Sequence, residues 1–419
     1  MNRRRAYAVL AAVCALPRLG VLLYERGDIL SAFTEKSDDF AQVFVHHGTY
    51  GLVPGEPSAY TQPLYGWFLI PLYWMFGRHW PVVGIAQIAL AVATAWLVYE
   101  IGRRFLAPRW AVVAAVIATL NPYLVWHDVH VNREIVDQVL AASVVLVTLL
   151  AAERHSWRLA ALDGVLLGLA ILGNTRLAFL PVVVAAYLAW RLRALVPALA
   201  VLVLAGVAVT PWLVRNDVNV GCWTLTTDAR ALWKANNENT YATLASGQWI
   251  DQVPEPPNRP RYAIYTTEAA GDVWRQTGRR LHVDECRQMR YYRHLVVEFW
   301  REHPGEKAKL ARQAVAMQWD PRATETSQRP GEGTHLDALR RWVQGGWMSV
   351  LYALALGGVF LVGRRLAWLF LLLLAYQTLA AAVFAGTTRY RVVWDFLIAL
   401  LAAAALAWVA ERPRRARLP

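Results

Sequence analysis

The hydrophobic positions of this chain gather in long uninterrupted blocks. Each block holds about 17–22 apolar residues, and a helix that spans a bilayer needs about 20. Such blocks are typical of a membrane protein and not of a large soluble core. We therefore predict an all-α polytopic membrane protein with about 10 transmembrane helices, over residues 6–24, 80–101, 109–126, 135–152, 158–174, 176–190, 194–214, 346–362, 366–385 and 391–410.

One further apolar block, residues 63–77, is too short to cross a bilayer and contains Pro63 and Pro71. Such a length is typical of an interfacial or re-entrant helix. If this block does not cross, every cytoplasmic loop carries at least two arginines close to a span end, as the positive-inside rule requires. We therefore predict that both termini are cytoplasmic, with inner clusters at Arg3–Arg5, Arg103 with Arg104 and Arg109, Arg154 with Arg158, Arg191 with Arg193, Arg364 with Arg365, and Arg412–Arg417.

Charge and motifs exclude other classes of function. The net charge of +13 is mostly this topology signal, so it gives no reason to expect nucleic acid as a partner. The first apolar segment has no small-residue cleavage site after it, which indicates an uncleaved signal anchor. The sequence contains no P-loop, dinucleotide fingerprint or nucleophile elbow, so nucleotide-driven transport has no support from a motif.

The predicted spans divide the chain into three parts. Residues 1–214 form an N-terminal transmembrane module, whose first outer loop covers residues 25–79. Residues 215–345 form one large extracytoplasmic loop of mixed, mainly helical structure. Residues 346–419 hold the last transmembrane helices and a basic cytoplasmic tail.

Inside the large loop, helices are expected over residues 284–302 and again after Pro304 to about Trp319. Residues 324–334 are rich in Gly, Ser, Thr and Pro and are expected to be a flexible connection. Cys222 and Cys286 both lie in this loop on the oxidising side of the membrane. The sequence leaves open whether they form a disulfide.

Charged residues lie within or beside the spans on the predicted outer side. A charge deep in hydrocarbon costs roughly 2.5–3.5 kcal/mol, so such groups usually face a cavity or a partner. The inner side shows mainly basic loop ends. This asymmetry predicts one polar cavity that opens outward, near Arg18, Arg133, Glu134, Asp137, Arg176, Arg389 and Arg391.

The order of several motifs resembles one family of membrane enzymes. These motifs are SDDFAQVFVHHGTYG (37–51), PSAYTQPLYGWFLIPLYWMFG (57–77), NPYLVWHDVHVNREIVDQ (121–138), GLAILGNTRLAFLP (168–181), TPWLVRNDVNVG (210–221) and TTRYRVV (387–393). Together they resemble the class C (family 39-like) glycosyltransferases of the dolichyl-phosphate-mannose–protein mannosyltransferase type, and their bacterial relatives that move aminoarabinose onto lipid A. The resemblance implies a polyprenyl-phosphate-linked sugar donor and an active site on the outer face of the bacterial plasma membrane. The acceptor is left open among protein, lipid and cell-envelope glycan.

By this resemblance, Asp38 or Asp39 is the first-loop acid that deprotonates or orients the acceptor. Attack at an anomeric carbon needs a nucleophile relieved of its proton. The spacing from the acid to Gly48 is shorter than the family's, so the sequence does not decide between the two aspartates. Glu134 matches a glutamate common at this point in the family and is a third candidate. The alternatives are a solvated acidic loop for the aspartates and stabilisation of a helix N-terminus for Glu134.

The donor phosphate requires cations at the membrane surface. Arg176 follows a span end where relatives carry an arginine, and Arg389-Tyr390-Arg391 open the last span like the family's RYR-like motif. Arg133 is a further candidate for the same role. The chain departs from the family after this motif, where Trp394 and Asp395 stand in place of prolines. Anchoring of helices to lipid headgroups is the alternative.

Substrate contacts and a metal site are predicted around these groups. Tyr60, Gln62, Tyr65, His127 and Asp128 are candidates for contact with the sugar or the lipid phosphate. A divalent cation is left open as a cofactor, since carboxylate and imidazole are its usual ligands. The candidate ligands are Asp39, Asp128 and His130, and hydrated loop-end histidines are the alternative.

Two other functions compete with an inverting glycosyltransferase. A transporter or flippase of lipid-linked glycan requires polar residues through the full depth of its spans and broken helices in paired halves, and neither is evident. A non-catalytic glycan-assembly protein would keep the fold without needing the acids of the first loop. Intact Asp38 and Asp39 favour the enzyme.

Overall fold

The computed structural model describes residues 2–31, 34–322 and 335–415, and the side chains of these except at 335–340 and 412–415. Within these ranges the chain is helical, and its one extended pairing is a single bridge between Val53 and Glu56. The helices in chain order are α1 (Arg3–Glu25), α2 (Lys36–His47), α3 (Pro63–Phe76), α4 (Trp80–Gly102), α5 (Pro108–Thr119), α6 (Pro122–His127), α7 (Glu134–Arg154), α8 (Trp157–Gly173), α9 (Leu180–Leu192), α10 (Leu195–Val220), α11 (Ala229–Lys234), α12 (Thr240–Ala245), α13 (Thr267–Thr277), α14 (Glu285–Glu302), α15 (Pro304–Trp319), α16 (His335–Val359), α17 (Arg364–Val383), α18 (Thr388–Val392) and α19 (Asp395–Arg415).

Each predicted span is mostly helical in the structure. Among the described residues, six helical segments are long and apolar enough to cross a membrane: Arg3–Leu30, Trp80–Gly102, Glu134–Arg154, Thr175–Leu192, Leu195–Val220 and Arg364–Val383. The remaining four predicted spans correspond to α5 with α6, α8, α16 and α19. An all-helical multi-pass protein is therefore confirmed, whereas the count of ten spans stays a prediction.

The predicted span over residues 109–126 is divided in two. Helix α5 ends at Thr119, and α6 begins at Pro122. A residue before proline is pushed out of the helical conformation, and Asn121 instead caps α6 by accepting a hydrogen bond from the Tyr123 backbone N–H at 3.1 Å. A local turn signal here overrides the apolar pattern.

The short apolar block is helix α3, as predicted. Its 14 residues give a length of about 21 Å, which is less than the roughly 30 Å of a bilayer core. Pro63 occupies the first helical turn, where its missing N–H costs nothing. The helix packs against α2, so the first outer loop is folded on itself next to the bundle.

Close packing of α8 on α10 relies on two glycines four residues apart, Gly164 and Gly168. A Cβ at Gly164 would lie 2.5 Å from the Val201 carbonyl oxygen, and one at Gly168 would lie 2.5 Å from the Ala208 Cβ. Small residues at this spacing let helix backbones approach each other in a membrane. The pair therefore fixes the distance between the two helices.

The large loop packs on the first outer loop through one buried carboxylate. Glu285 accepts hydrogen bonds from the Ser58 hydroxyl at 2.5 Å, the Ala59 backbone N–H at 3.0 Å and the Thr227 hydroxyl at 2.7 Å. Its neighbour Cys286 forms a disulfide with Cys222, a pairing that the sequence alone did not decide. Ser58 and Ala59 are thereby held against the start of α14.

The predicted helices of the large loop are confirmed as α14 and α15, whose bounds differ from the prediction by one residue or less. Proline at residue 304 separates them, because it starts α15 and cannot continue α14. The predicted flexible connection over residues 324–334 lies outside the described residues.

We expect Gly168→Val to destabilise the protein by about 1–3 kcal/mol, because the added methyl groups overpack the contact of α8 with α10. The measurement is the thermal unfolding temperature in detergent. Gly206→Val on α10 is the matched control, since a Cβ there meets nothing within 4 Å. Equal unfolding temperatures for the two variants would contradict this account of the packing.

Candidate active site

A cavity of about 480 Å³ lies where the predicted outer segments converge. The first loop, the start of α7, the turn between α8 and α9, the large loop and the start of α18 all contribute to its wall. Apart from Phe384 and Ala385, every lining residue comes from a segment predicted to be outer. The charged residues in the wall are Glu35, Lys36, Arg133, Arg176, Asp228, Asp251, Arg293 and Arg389.

A cluster of ion pairs forms the floor of this cavity. Arg389 donates from Nε to Glu134 Oε1 at 2.5 Å and is also paired with Glu35. The Arg133 Nε lies 3.7 Å from Glu134 and 3.9 Å from Glu35. Glu134 is almost fully buried, at 1% side-chain exposure. The arginines provide the counter-charge that a buried carboxylate requires.

Arg176 differs from the other two arginines. Its guanidinium lies 3.4 Å from the centre of the Tyr390 ring and donates one hydrogen bond to the Ala385 carbonyl at 3.0 Å. Among the described residues it has no carboxylate partner within ion-pair distance. A guanidinium has five N–H donors in a planar fork, so Arg176 retains donors that suit a phosphate.

The backbone positions of Arg176 and Arg389 are each fixed by a side-chain cap. At the end of α8 the Asn174 side chain accepts from the Arg176 backbone N–H at 3.2 Å. At the start of α18 the Thr387 hydroxyl accepts from the Arg389 backbone N–H at 2.9 Å. Both caps satisfy backbone donors that a helix terminus leaves free, so the position of each arginine follows from a local sequence signal.

Arg391 is not in the cavity wall, in contrast to the prediction. Its side chain is 1% exposed, pairs with Asp395 at 3.2 Å, and donates to the carbonyls of Gln318 at 3.0 Å and Asp320 at 2.6 Å. Two residues after Arg389 on the same helix, it points to another side. Its contacts join the end of α15 to the start of α19.

Asp38 and Asp39 also lie outside the cavity wall. Asp38 is buried, and its carboxylate pairs with Arg78 at 2.6 Å and accepts a hydrogen bond from the Tyr73 hydroxyl. Asp39 is more exposed and pairs with Arg275 of the large loop at 3.1 Å. The two neighbours therefore hold different elements, and neither faces Arg176.

The first-loop carboxylate that does line the cavity is Glu35, which the sequence analysis missed. It precedes α2, and its backbone N–H donates to the Val131 carbonyl at 3.0 Å. The family resemblance points to the adjacent acidic pair and not to a single glutamate three residues earlier. The sequence does place Glu35 in the same predicted outer loop as Asp38 and Asp39, so it qualified as a third carboxylate candidate in that loop.

Of three aromatic or amide residues predicted to contact the substrate, two line the cavity and one is buried in the helix bundle. Tyr60 and Gln62 line the cavity, where Gln62 accepts from Arg133 at 2.7 Å and Tyr60 accepts from Lys36 at 3.2 Å. Tyr65 lies outside it, because its hydroxyl donates to buried Gln87 at 2.6 Å within the bundle.

Two titratable groups in the wall are shifted by their surroundings. Burial lowers the pKa of Lys36, but Tyr60, Asp228 and Glu268 outweigh burial and raise it above its ordinary value, so the ammonium stays charged. Burial raises the pKa of Asp228, against the opposing effect of Lys36. Lys36 also pairs with Glu268 at 2.5 Å, which links the first loop to α13.

The predicted metal ligands are not brought together. Asp128 forms a buried ion pair with Arg18 at 2.7 Å and accepts from Gln138 at 2.9 Å, while His130 stacks on Trp126. Asp39 is engaged with Arg275, as described above. In the described ranges no group of three or more His, Cys, Asp or Glu residues could hold a metal ion.

His127 has a different partner from the one predicted. Its Nε2 lies 3.3 Å from Glu134 Oε2, beneath the ion-pair cluster and away from the cavity wall. Within the bundle, His127 therefore contacts Glu134, and Asp128 contacts Arg18 of α1.

We expect Asp128→Asn to destabilise the protein by about 3–5 kcal/mol, because it leaves the Arg18 guanidinium buried without a counter-charge. Thermal unfolding in detergent measures the effect. The double variant Arg18→Met/Asp128→Leu, which removes both charges, should recover much of the loss. Asp39→Asn, in a half-exposed pair, should cost less than about 1 kcal/mol. Similar costs for the two single variants would contradict the assignment.

Comparison with known proteins identifies the fold. The family model of the dolichyl-phosphate-mannose-protein mannosyltransferases matches residues 56–214, a stretch that includes Arg133, Glu134 and Arg176 and begins after the acids of the first loop. No curated protein matches the chain significantly.

Solved structures match along nearly the whole chain. The archaeal oligosaccharyltransferase AglB from Archaeoglobus fulgidus, solved with an inhibitory peptide and a dolichol-phosphate, has a TM-score of 0.57 at 13% identity, over 98% of this chain and 51% of that one. The apo form of the Archaeoglobus fulgidus enzyme gives 0.50 at 12% identity over the same shares. ArnT from Cupriavidus metallidurans, bound to undecaprenyl phosphate, gives 0.44 at 14% identity, over 98% and 80%.

The chain spans about half the length of the oligosaccharyltransferase that it matches. The likeness at this identity concerns the fold, and the family model adds the sequence of the N-terminal module. Together they agree with the resemblance that the motifs predicted: residues 56–214 match the model of the dolichyl-phosphate-mannose-protein mannosyltransferase family, and the chain has a fold similar to that of the oligosaccharyltransferase.

Proposed function

We propose that this protein transfers a sugar from a polyprenyl-phosphate-linked donor to an acceptor at the outer face of the bacterial plasma membrane, with both of its termini cytoplasmic. The observation that carries the proposal is Arg176, a cavity arginine stacked on Tyr390 with no carboxylate partner among the described residues. A donor of this class needs such a cation, since its phosphate is the leaving group. The matched family model, and a structural relative solved with dolichol-phosphate, support the same class of donor.

The donor phosphate is assigned to Arg176 and Arg389, with Arg133 beside them. Arg389 is already paired with two carboxylates, of which Glu35 is 14% exposed and Glu134 only 1% exposed. A phosphate that binds Arg389 therefore competes with the more accessible Glu35. Binding of the donor thus releases the Glu35 carboxylate next to the departing phosphate.

Glu35 is proposed as the base in place of Asp38 or Asp39. It is the first-loop carboxylate in the cavity wall, whereas Arg78 and Arg275 hold the other two outside the wall. In this assignment Asp38 positions α2 against α3, and Asp39 positions the large loop. Glu134 fixes Arg389 and takes no proton.

The reaction is a single displacement. The acceptor hydroxyl gives its proton to Glu35, and its oxygen forms the bond to the anomeric carbon. The bond from that carbon to the phosphate oxygen breaks with its electrons remaining on the phosphate, where Arg176 and Arg389 stabilise the charge. Attack from the side opposite the phosphate inverts the anomeric centre.

The acceptor is proposed to enter from the side of the large loop. This part of the wall offers Thr226, Asp228, Asp251 and Arg293, together with Tyr60 from the first loop. These side chains are polar and line the same cavity as the arginine cluster. They suit a hydroxyl-bearing acceptor, in protein, lipid or cell-envelope glycan.

We expect Arg176→Ala to weaken binding of a polyprenyl-phosphate sugar roughly 10- to 100-fold, as the loss of about 1.5–3 kcal/mol from a charged hydrogen bond implies. The assay uses purified protein in nanodiscs and a panel of radiolabelled polyprenyl-phosphate sugars. Arg290→Ala is the matched control, because Arg290 is exposed on α14 and lies outside the cavity wall. Wild-type affinity in Arg176→Ala would contradict the donor site.

We expect Glu35→Gln to lower turnover about 10²- to 10⁴-fold while donor binding is retained, because only the proton acceptor is lost. Release or transfer of labelled sugar measures turnover in the same nanodiscs. Asp38→Asn and Asp39→Asn are compared in parallel. Turnover that survives in Glu35→Gln but disappears in one aspartate variant would transfer the role to that aspartate. Passage of intact donor across the bilayer without cleavage would instead favour a flippase.

A further inference from the structure

A second cavity, of about 450 Å³, lies at the other end of the helix bundle. Four arginines converge on it from three places: the loop after α4, the end of α9 and the start of α17. Its wall also contains the aromatic ring of Phe105 and the side chains of Leu149 and Leu366. The arginines are Arg104, Arg191, Arg364 and Arg365.

Three helices connect the two cavities from end to end. Helix α7 begins at Glu134 in the ion-pair cluster and reaches Glu153, in the wall of the second cavity, near its last residue. Its 21 residues give a length of about 30 Å, the thickness of a bilayer core. Helices α9 and α17 likewise run between the two ends. The second cavity is thus separate from the candidate active site by the depth of a membrane.

The charges of the second cavity are unbalanced. Arg104 pairs with Glu153. In the part of the chain that the structure describes, Arg191, Arg364 and Arg365 have no carboxylate partner within ion-pair distance. Cations that converge without counter-charges repel one another, and an anion between them relieves the repulsion.

The start of α17 adds to this positive potential. Arg364 and Arg365 occupy its first turn, and the Gly363 N-cap provides no side-chain acceptor. The N-terminus of a helix is the positive end of its dipole, so two arginines there are unfavourable unless an anion is bound. The backbone of this first turn and its two arginines line the same cavity. Backbone N–H groups and guanidinium groups together are suited to bind a phosphate.

The apolar part of the wall limits the class of anion. Phe105 and Leu366 pack against the main core and line the cavity beside the arginines. A fully hydrated anion gains no binding free energy from an apolar surface. A lipid does, because its acyl chain can pack on that surface while its headgroup binds the arginines. Basic pockets between transmembrane helices on the cytoplasmic side are typical sites for anionic headgroups.

We propose that this cavity binds the phosphate headgroup of an anionic phospholipid of the inner leaflet, at a site distinct from the donor site. Arg364, Arg365 and Arg191 hold the phosphate, and the apolar wall receives the first part of an acyl chain. Occupation of the site joins α9 to α17 at the end opposite the catalytic cavity. The proposal does not depend on the identity of the transferred sugar or the acceptor.

The experiment measures the thermal unfolding temperature of the full chain in detergent as phosphatidylglycerol or phosphatidylcholine is added. Wild type should be stabilised by phosphatidylglycerol and much less by phosphatidylcholine. In Arg364→Gln/Arg365→Gln the apparent affinity for phosphatidylglycerol should fall at least tenfold. Arg158→Gln is the matched control, since Arg158 is an exposed arginine in the first turn of α8, outside this cavity.

The sign of the effect without lipid gives an independent check on folding. In phosphatidylcholine alone the double variant should unfold at the same or a higher temperature than wild type, because two unfavourable charges leave a helix N-terminus. Equal responses to the two lipids, or an equal loss in Arg158→Gln, would overturn the proposal. Stabilisation by inorganic phosphate alone, undiminished when phosphatidylglycerol is present, would assign the site to a free anion and overturn the lipid.

Discussion

Four charged side chains from distant parts of the sequence set the geometry of the candidate site. Glu35 belongs to the first outer loop, Arg133 and Glu134 stand at the start of α7, and Arg389 lies in the short helix before α19. Glu134 is buried, and an unpaired buried charge costs several kcal/mol. Separation of α18 from α7 would remove the Arg389 partner of this buried charge, and Glu35 ties the first loop to the same arginine, so the cluster joins the three segments at the floor of the cavity.

The contacts around the cavity serve the same geometry. Glu285 holds Ser58 and Ala59, and Arg215 donates to the Ser58 and Tyr50 carbonyls at 2.8 and 2.9 Å. The first loop is thereby fixed between α10 and α14. Since Tyr60 and Gln62 follow directly, the same contacts place two residues of the cavity wall. The large loop thus contributes to the wall of the site and also holds the first loop in place.

The sequence predicts the helices well, because blocks of apolar residues and arginines at their ends reflect the physics of the bilayer directly. It also predicts which segments meet at the cavity, since the predicted topology places them on one side of the membrane. It does not predict which side chains face inward. Arg389 and Arg391 are two residues apart and therefore point about 200° apart on a helix, one to the cavity and one to the core.

The acids of the first loop illustrate the same limit. Resemblance favours Asp38 and Asp39, but their orientation depends on partners far away in sequence, Arg78 and Arg275, which no local pattern reveals. The three predicted metal ligands have separate partners for a similar reason. Asp128 pairs through Oδ2 with Arg18, from a helix more than a hundred residues earlier, and its Oδ1 accepts a hydrogen bond from Gln138.

The central claim is that the cavity beside Arg176 holds the phosphate of a polyprenyl-linked donor. Photocrosslinking tests it most directly, with a polyprenyl-phosphate sugar that carries a photoreactive group near the phosphate and peptide mapping of the adducts. The account predicts adducts in the cavity wall, around Tyr390 and the turn at Asn174–Arg176, and their loss in Arg176→Ala. Adducts confined to other faces of the bundle, or unchanged in that variant, would contradict it.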